Sequence, residues 1–238
     1  MISLSIIIPL YNEEKRLKKT ITILNKFIKK FKKNKIKIIF VDDGSTDETI
    51  TILKRMNFIK SKNLKKKIIR YNKNVGKGFA VKKGILKAKN EWVLICDADL
   101  SVHPIQFIKW YNKNIFVSNK KAYYGSREHK NSIIRASKYR VFLGFFFKKL
   151  IRLMFDIKLG DTQCGFKVFH NSYSKKIFRK INSFRFAFDV ELTILLKKHK
   201  IEIEELPLKW THKTGSKLNF KKDVPRMILD IILIRLKY

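Results

Sequence analysis

An α/β fold with a central, mostly parallel sheet flanked by helices is the fold class that this sequence predicts. In the first half of the chain, short β-branched runs alternate with longer stretches of helical periodicity. Each β-branched run ends in turn-forming or acidic residues. Strands that alternate with helices in this way are typical of βαβ units, whose ligands bind beyond the carboxyl ends of the strands.

The elements follow in chain order, from hydrophobic periodicity and the turn residues between the runs. The first half is predicted to contain strands at Ser5–Pro9, Ile36–Asp42, Lys67–Tyr71 and Trp92–Asp97, and helices at Glu13–Phe31, Asp47–Ile59 and Gly76–Ala88. The second half is predicted to contain strands within Lys121–Gly125, Asp161–Phe169 and Ile201–Trp210, and helices at Ser137–Phe155, Ser172–Lys180, Phe188–His199 and Phe220–Tyr238. We find no repeat and no long linker, and we therefore expect one domain over residues 1–219 followed by an amphipathic helical tail over 220–238.

The composition excludes several classes of protein. Among 238 residues, 45% are hydrophobic, which supports a packed core and excludes wholesale disorder. The two cysteines, Cys96 and Cys164, cannot form a disulfide framework, so a cytoplasmic location is expected. The 55 basic and 19 acidic residues give a net charge of +36, but the basic residues are spread along the chain. We attribute this charge to composition and expect no nucleic-acid partner.

Two apolar stretches bear on membrane contact. Neither reaches the roughly 18 uninterrupted apolar residues that a membrane-spanning helix requires. Tyr139–Phe155 and the C-terminal helix are both edged by Arg and Lys, a pattern suited to interfacial helices at an anionic membrane surface. Packing of the same faces against the core explains the pattern equally well for the tail. We expect a protein that does not cross a membrane and that binds one peripherally.

Asp97 and Asp99 flank Ala98 at the end of an apolar strand. Two carboxylates are costly to bring together after a buried strand unless a cation compensates their charge. Mg²⁺ or Mn²⁺ suits such a pair, since these ions bind one or two carboxylates and complete their shell with diphosphate oxygens. The alternative is an acidic turn before the next helix, with Ser101 as the N-cap.

Other strand ends also carry polar groups. Asp42 and Asp43 precede Gly44 and Ser45, which also signal the start of a helix. Lys77 lies between two glycines where a loop enters a helix, a position suited to an anion. The spacing of a P-loop and the G-x-G-x-x-G fingerprint are both absent. The five histidines have no zinc-binding spacing, and we interpret Cys164 as inert packing.

Taken in order, these motifs resemble the GT-A glycosyltransferases of family 2. The motifs are IPLYNEE at 8–14, VDDGSTD at 41–47, NVGKG at 74–78 and DADL at 97–100. Four later motifs, at 124–127, 161–167, 186–192 and 215–218, are similar to the dolichyl-phosphate β-glucosyltransferase branch, and less closely to the mannosyltransferases. The resemblance extends over roughly residues 3–220.

The resemblance implies inverting transfer of a hexose, glucose from UDP-glucose, to a polyprenyl or dolichyl phosphate at the cytosolic face of a membrane. It implies Mg²⁺ or Mn²⁺ on Asp97 and Asp99, with Asp99 as the direct ligand. It also implies a nucleotide-sugar site formed by Pro9, Tyr11, Glu13, Asp42, Asp43, Lys77, Gly78, Asp97, Ala98 and Gln163. Asp99, Asp189 and Arg127 are the catalytic candidates.

The nature of the acceptor decides whether a base is needed. A lipid phosphate is already an anion, whereas a sugar hydroxyl requires a general base. Asp189 and Glu191 lie where hydroxyl-using relatives carry that base, although Asp189 could simply interact with a helix dipole. The cations expected to meet phosphates are Arg127, Arg135, Arg140 and Lys217. Transfer of mannose or another sugar, transfer to a soluble glycan hydroxyl, and a silent nucleotide-sugar-binding protein remain alternatives.

Overall fold

The computed structural model describes residues 1–116, 118–135, 148–213 and 220–238. Its strands are β1 (Ser3–Leu10), β2 (Lys35–Asp43), β3 (Leu64–Tyr71), β4 (Trp92–Ile95), β5 (Lys121–Ser126), β6 (Ile133–Arg135), β7 (Lys167–His170), β8 (Glu202–Pro207) and β9 (Lys209–Thr211). Within the described ranges, a seven-stranded sheet has the order β3-β2-β1-β4-β7-β5-β8, and β6 pairs with β9. β3, β2, β1 and β4 are parallel, β5 is parallel to β8, and β7 is antiparallel to both neighbours. The predicted α/β fold with a mostly parallel sheet is confirmed.

The helices flank this sheet. They are α1 (Glu14–Lys30), α2 (Thr49–Arg55), α3 (Lys77–Leu86), α4 (Ile105–Asn112), α5 (residues 148–154), α6 (Asn171–Lys180), α7 (Phe188–Lys198) and α8 (Phe220–Lys237). α4 and β6 were not predicted. The helix predicted to reach Ile59 ends at Arg55, because the Asn25 amide binds the extended backbone at Asn57 and Ile59. Most of the helix predicted at Ser137–Phe155 lies outside the described residues.

The central strands are buried on both faces. Ile6 and Ile8 of β1 pack in one cluster with α1, whereas Ile7 packs in a second cluster with α3 and α7. Strands covered on both sides have nearly continuous apolar sequences, as β1 does. Polar residues therefore gather where the strands end, and the carboxyl ends of β1, β2 and β4 meet at one edge.

The C-terminal helix α8 packs against the domain through one face. Its Met227, Ile231 and Ile234 are buried in a cluster with residues of α5 and α7, including Ile151 and Val190. This face of the C-terminal helix therefore packs against the core, which was one of the two alternatives for the tail. The domain boundary at residue 219 stays a prediction. In the described ranges, no helix has the length and apolar character needed to span a bilayer.

Candidate active site

The loops after β1 and β2 are joined by hydrogen bonds at the carboxyl edge of the sheet. The Asn12 N–H donates to Ser45 Oγ (2.9 Å), and the Thr46 N–H donates to Asn12 Oδ1 (2.9 Å). The Glu13 N–H donates to Thr49 Oγ1 (2.7 Å), and Arg16 pairs with the Glu13 carboxylate. Parallel register thus brings the predicted nucleoside residues Pro9, Tyr11 and Glu13 beside the acidic end of β2.

The two aspartates of β2 differ in their partners. Asp43 accepts hydrogen bonds from the N–H groups of Val75 and Gly76, at 3.0 and 2.7 Å, and from the Asn74 amide at 2.9 Å. Asp42 is fully buried; its Oδ2 lies 3.5 Å from Arg70 Nε and accepts no hydrogen bond from the described residues. Burial raises the pKa of both carboxyls. Asp43 therefore fixes the loop that leads into α3.

That loop directs Lys77 towards the D-x-D motif. Gly76 adopts φ +133°, and a Cβ there would overlap the Phe184 carbonyl, so only glycine fits before α3 begins at Lys77. Lys77 Nζ lies 2.6 Å from Asp97 Oδ1. Burial opposes the charge of Lys77, but Asp97, Asp189 and Asp99 outweigh it and raise the pKa of Lys77. Lys77 is therefore a fixed cation beside Asp97.

The D-x-D turn itself has an unusual backbone. Leu100, directly after Asp99, adopts φ +49°, a left-handed conformation that leucine rarely takes. Two hydrogen bonds hold it: the Leu100 N–H donates to Asp97 O (3.1 Å), and the Ser101 N–H donates to Asp99 Oδ1 (2.8 Å). The Ala98 carbonyl accepts from Thr20 Oγ1 (2.6 Å). The turn is strained but firmly held, as is common at functional sites.

A buried ion pair lies behind the D-x-D motif. Lys167 is 1% exposed, and its Nζ lies 2.5 Å from Asp189 Oδ1 and 2.7 Å from the Cys164 carbonyl. Burial raises the pKa of Asp189 despite the nearby Lys167 and Lys77. For Asp97, burial also opposes the charge, but Lys77, Lys167 and Arg127 hold its pKa below the ordinary value. Lys167 was not predicted; a lysine inside the apolar run FKVF was the available signal.

Arg127 is held by Asp161 rather than extended into solvent. Its Nε and Nη2 bind the Asp161 carboxylate in a bidentate pair, at 2.6 and 2.8 Å, and its own N–H donates to Oδ2 (3.0 Å). Burial disfavours the Asp161 charge, but Arg127 outweighs it and lowers the pKa of Asp161 to about 2. Asp161 also accepts the N–H groups of Gln163 and Cys164, and a side chain at Gly165 would overlap the Asp97 carboxylate. Asp161 thus positions the 161–165 turn against Asp97.

The remaining predicted residues are dispersed. Gly78 packs against Phe188 of α7, and Arg135 is exposed on β6. Arg140 and Lys217 lie outside the described residues. Glu191 binds groups outside the D-x-D motif: its carboxylate accepts from the N–H groups of Asn182 and Ser183 and from Lys237 and Tyr238. These donors outweigh burial and lower the pKa of Glu191.

The site offers a small oxygen donor set for a divalent cation. Asp97 Oδ1 is buried and, Lys77's ion pair apart, accepts no hydrogen bond from the described residues. Asp99 accepts the Ser101 N–H through Oδ1. No group of three or more His, Cys, Asp or Glu side chains gathers within the described ranges. Mg²⁺ and Mn²⁺ need only one or two carboxylates when a diphosphate supplies further oxygens, so these residues fit such an ion.

A parallel sheet whose carboxyl edge carries a D-x-D turn beside fixed lysines is the arrangement that the resemblance to GT-A glycosyltransferases implies. The model of the family "Glycosyl transferase family 2" matches residues 5–178. The chain therefore belongs to glycosyltransferase family 2, and it is an enzyme of that class.

The relatives agree with this assignment. The chain is 32% identical over 253 residues to the dolichyl-phosphate β-glucosyltransferase of Saccharomyces cerevisiae, covering 100% of this chain and 75% of the relative. It is 34% identical over 251 residues to the Homo sapiens enzyme of the same name, covering 99% and 75%. The fold resembles glucosyl-3-phosphoglycerate synthase of Mycobacterium tuberculosis in complex with Mn²⁺, UDP-glucose and glycerol 3-phosphate. There the TM-score is 0.65 at 16% identity, covering 99% of this chain and 79% of that one.

Proposed function

We propose that this enzyme transfers glucose from UDP-glucose to a dolichyl or other polyprenyl phosphate. The proposal is supported by the names of its relatives and by UDP-glucose in a structure of the same fold. The observation that carries it is the state of the two candidate bases. Asp189 is paired with Lys167, and both Glu191 oxygens accept hydrogen bonds. Neither of these two candidate bases is free of partners among the described residues, which suits an acceptor that is already ionised.

In this proposal the donor lies along the carboxyl edge of the sheet. Pro9, Tyr11, Glu13, Asp42 and Asp43 surround the nucleoside, while Lys77, Gly78, Ala98 and Gln163 lie near the diphosphate and sugar. Asp99, with Asp97, would hold Mg²⁺ or Mn²⁺. When bound, the ion neutralises charge on the departing diphosphate.

Lysines and arginines of the chain supply further positive charge near the proposed phosphate groups. Lys77 is 22% exposed beside Asp97, so its ammonium can reach a ligand without leaving the site. Lys167 holds Asp189 in place, and the Arg127–Asp161 pair holds the turn beside Asp97. Arg135, Arg140 and Lys217 are assigned to the phosphate of the acceptor.

We also propose that the enzyme works at the cytosolic face of a membrane, bound peripherally through α8. The outward face of this helix exposes Ile228, Leu229, Ile232, Leu233 and Leu236, the last of them by 79%. Leu153 of α5 is 84% exposed, and Arg226 and Arg235 belong to the same helix as the leucines. An apolar face edged by basic residues suits insertion at anionic headgroups.

The activity is tested by incubating the protein with Mn²⁺, a short polyprenyl phosphate and a panel of nucleotide sugars. Mass spectrometry identifies any glycolipid, and Asp99→Asn serves as the inactive control. We expect glucosyl phosphopolyprenol from UDP-glucose. Product from a mannose donor instead would replace the sugar assignment, and transfer only to a glycan hydroxyl would refute the lipid acceptor.

Membrane binding is tested by flotation with anionic and neutral liposomes. The variant Leu229→Ser/Leu233→Ser changes only exposed positions, whereas truncation before α8 would also uncover the core cluster of Ile231. We expect wild-type protein to float with anionic vesicles at low salt, and the variant to float less. Screening at about 1 M salt should release part of the protein. Wild-type protein that stays unbound at low salt would refute peripheral binding.

A further inference from the structure

A cleft at the opposite end of the sheet is lined by lysines. It lies at the amino ends of β2 and β3, beside the loop that precedes β4, and has a volume of about 460 Å³. Five of its eight lining residues are Lys35, Lys37, Lys62, Lys65 and Lys89, and none is acidic. The cleft is thus separate from the site at the carboxyl ends of the strands.

The strand register forces two of these lysines together. Lys37 of β2 pairs directly with Lys65 of β3. Paired residues on neighbouring strands project from the same face, and the strands are roughly 4.8 Å apart. Like charges at directly opposite positions destabilise a sheet. Burial and the neighbouring Lys67 and Lys89 lower the pKa of Lys37, as expected for an ammonium group among other cations.

Four of the cleft lysines are exposed and Lys37 is half-buried, and none of them is placed like the lysines that the described residues pair with an acid. Lys77 is paired with Asp97, Lys167 with Asp189, and Lys121 with Glu202. The nearest acidic residue in sequence to the cleft, Glu91, instead has an oxygen 3.7 Å from His170 Nε2. The lysines that line the cleft therefore carry a repulsion that no lining side chain offsets.

We propose that this lysine cleft binds a phosphate-dense anion, of the class of oligophosphates and phosphomonoester headgroups. Ammonium groups on flexible stems act as point charges that adapt to phosphate oxygens. The walls are held by backbone contacts: the Asn63 amide donates to the Lys32 carbonyl, and the Asn90 amide donates to the Leu4 carbonyl. An anion in the cleft would supply the negative charge that the lining lacks. This proposal is independent of the donor and acceptor assigned above.

The test compares two variants with the same change in net charge. Lys37→Gln/Lys65→Gln removes the lysines that pair across β2 and β3, and Lys19→Gln/Lys29→Gln removes two lysines of α1 that lie outside the cleft. Binding of inorganic tripolyphosphate is measured calorimetrically with EDTA. We expect the cleft variant to bind about tenfold more weakly than wild type, and the α1 variant to bind within about twofold.

Thermal unfolding provides a second readout. Since the cleft variant loses a like-charge pair, its melting temperature without ligand should equal or exceed that of wild type, and tripolyphosphate should raise it less. Flotation with phosphatidic acid vesicles distinguishes the sources of the anion: dependence on Lys37 and Lys65 there, without tripolyphosphate binding, assigns a lipid headgroup. Equal affinities of the two variants for both probes would overturn the proposal.

Discussion

Replacing Lys167 by Met tests the buried ion pair on which the candidate site rests. Lys167 and Asp189 have side chains only 1% and 6% exposed, and methionine fills a similar volume without a charge. The variant leaves Asp189 buried without its 2.5 Å partner. Breaking a buried pair from one side costs about 3–5 kcal/mol. That loss is a large part of the roughly 5–15 kcal/mol that stabilises a typical domain.

The pH dependence of this loss has a definite sign. Burial already raises the pKa of Asp189 in the folded protein, and removal of Lys167 raises it further. A carboxyl with a raised folded pKa binds its proton more tightly in the folded state. Its penalty is therefore absent below the unfolded pKa of about 4, grows as pH rises above that value, and is complete above the folded pKa. The variant should lose more stability relative to wild type at pH 8 than at pH 5.

Urea unfolding of both proteins at pH 5 and pH 8 measures these differences. The double variant Lys167→Met/Asp189→Leu is the matched control, because it removes both charges and should recover most of the lost stability. A loss below about 1 kcal/mol at both pH values would refute the buried pair. Equal losses at pH 5 and pH 8 would instead show that Asp189 is not the group left unpaired.

Three further predictions concern the neighbouring carboxylates. Asp99→Asn should keep the far-UV circular dichroism spectrum of the wild type, since an amide oxygen can still accept the Ser101 N–H. The variant should lose turnover and Mn²⁺-dependent UDP binding. Normal turnover would show that the D-x-D motif has no part in the mechanism. Asp161, whose pKa is about 2, should stabilise the folded protein by about 2 kcal/mol above pH 4, and this stabilisation should be lost as pH falls towards 2. The free energy of unfolding of Asp161→Asn should therefore depend less on pH in this acidic range. Asp189→Asn should retain residual activity, and the pH profile of wild-type kcat should lack a limb from a carboxylate base; complete loss together with transfer to a sugar hydroxyl would favour a base at this position.

The strands and the residues that follow them could be predicted because local signals decide them. Apolar β-branched runs predicted β1, β2 and β4. The acidic residues that follow two of these runs predicted that Asp42, Asp97 and Asp99 lie at the carboxyl edge of the sheet. β6 was missed, since its three residues depend on pairing with β9, more than 70 positions later. The early end of α2 was missed for a similar reason: the Asn25 side chain that binds the extended segment belongs to α1.

Partners across the sheet could not be predicted, and they decide what each charged residue does. The sequence favoured Arg127 for phosphates, yet its guanidinium is bound by Asp161, 34 positions away. Asp189 and Glu191 were equivalent in sequence, but α7 directs one towards Lys167 and the other towards Tyr238. The motifs thus predicted where the candidate site lies, and only the tertiary structure shows which of its charges bind one another.

Lys167 and Lys77 both pair with an aspartate of the candidate site, but they differ in their access to a ligand. Lys167 is fully enclosed and contacts Asp189 and the Cys164 carbonyl, so it can act on a ligand only through the groups that it holds. Lys77 begins a helix at the carboxyl edge of the sheet and remains partly exposed beside Asp97. Asp97 and Asp189 are paired with these two ammonium groups, and Asp99 adds a further negative charge at the D-x-D turn. A divalent cation held there would make the local charge more positive, and it would then favour the diphosphate of the donor.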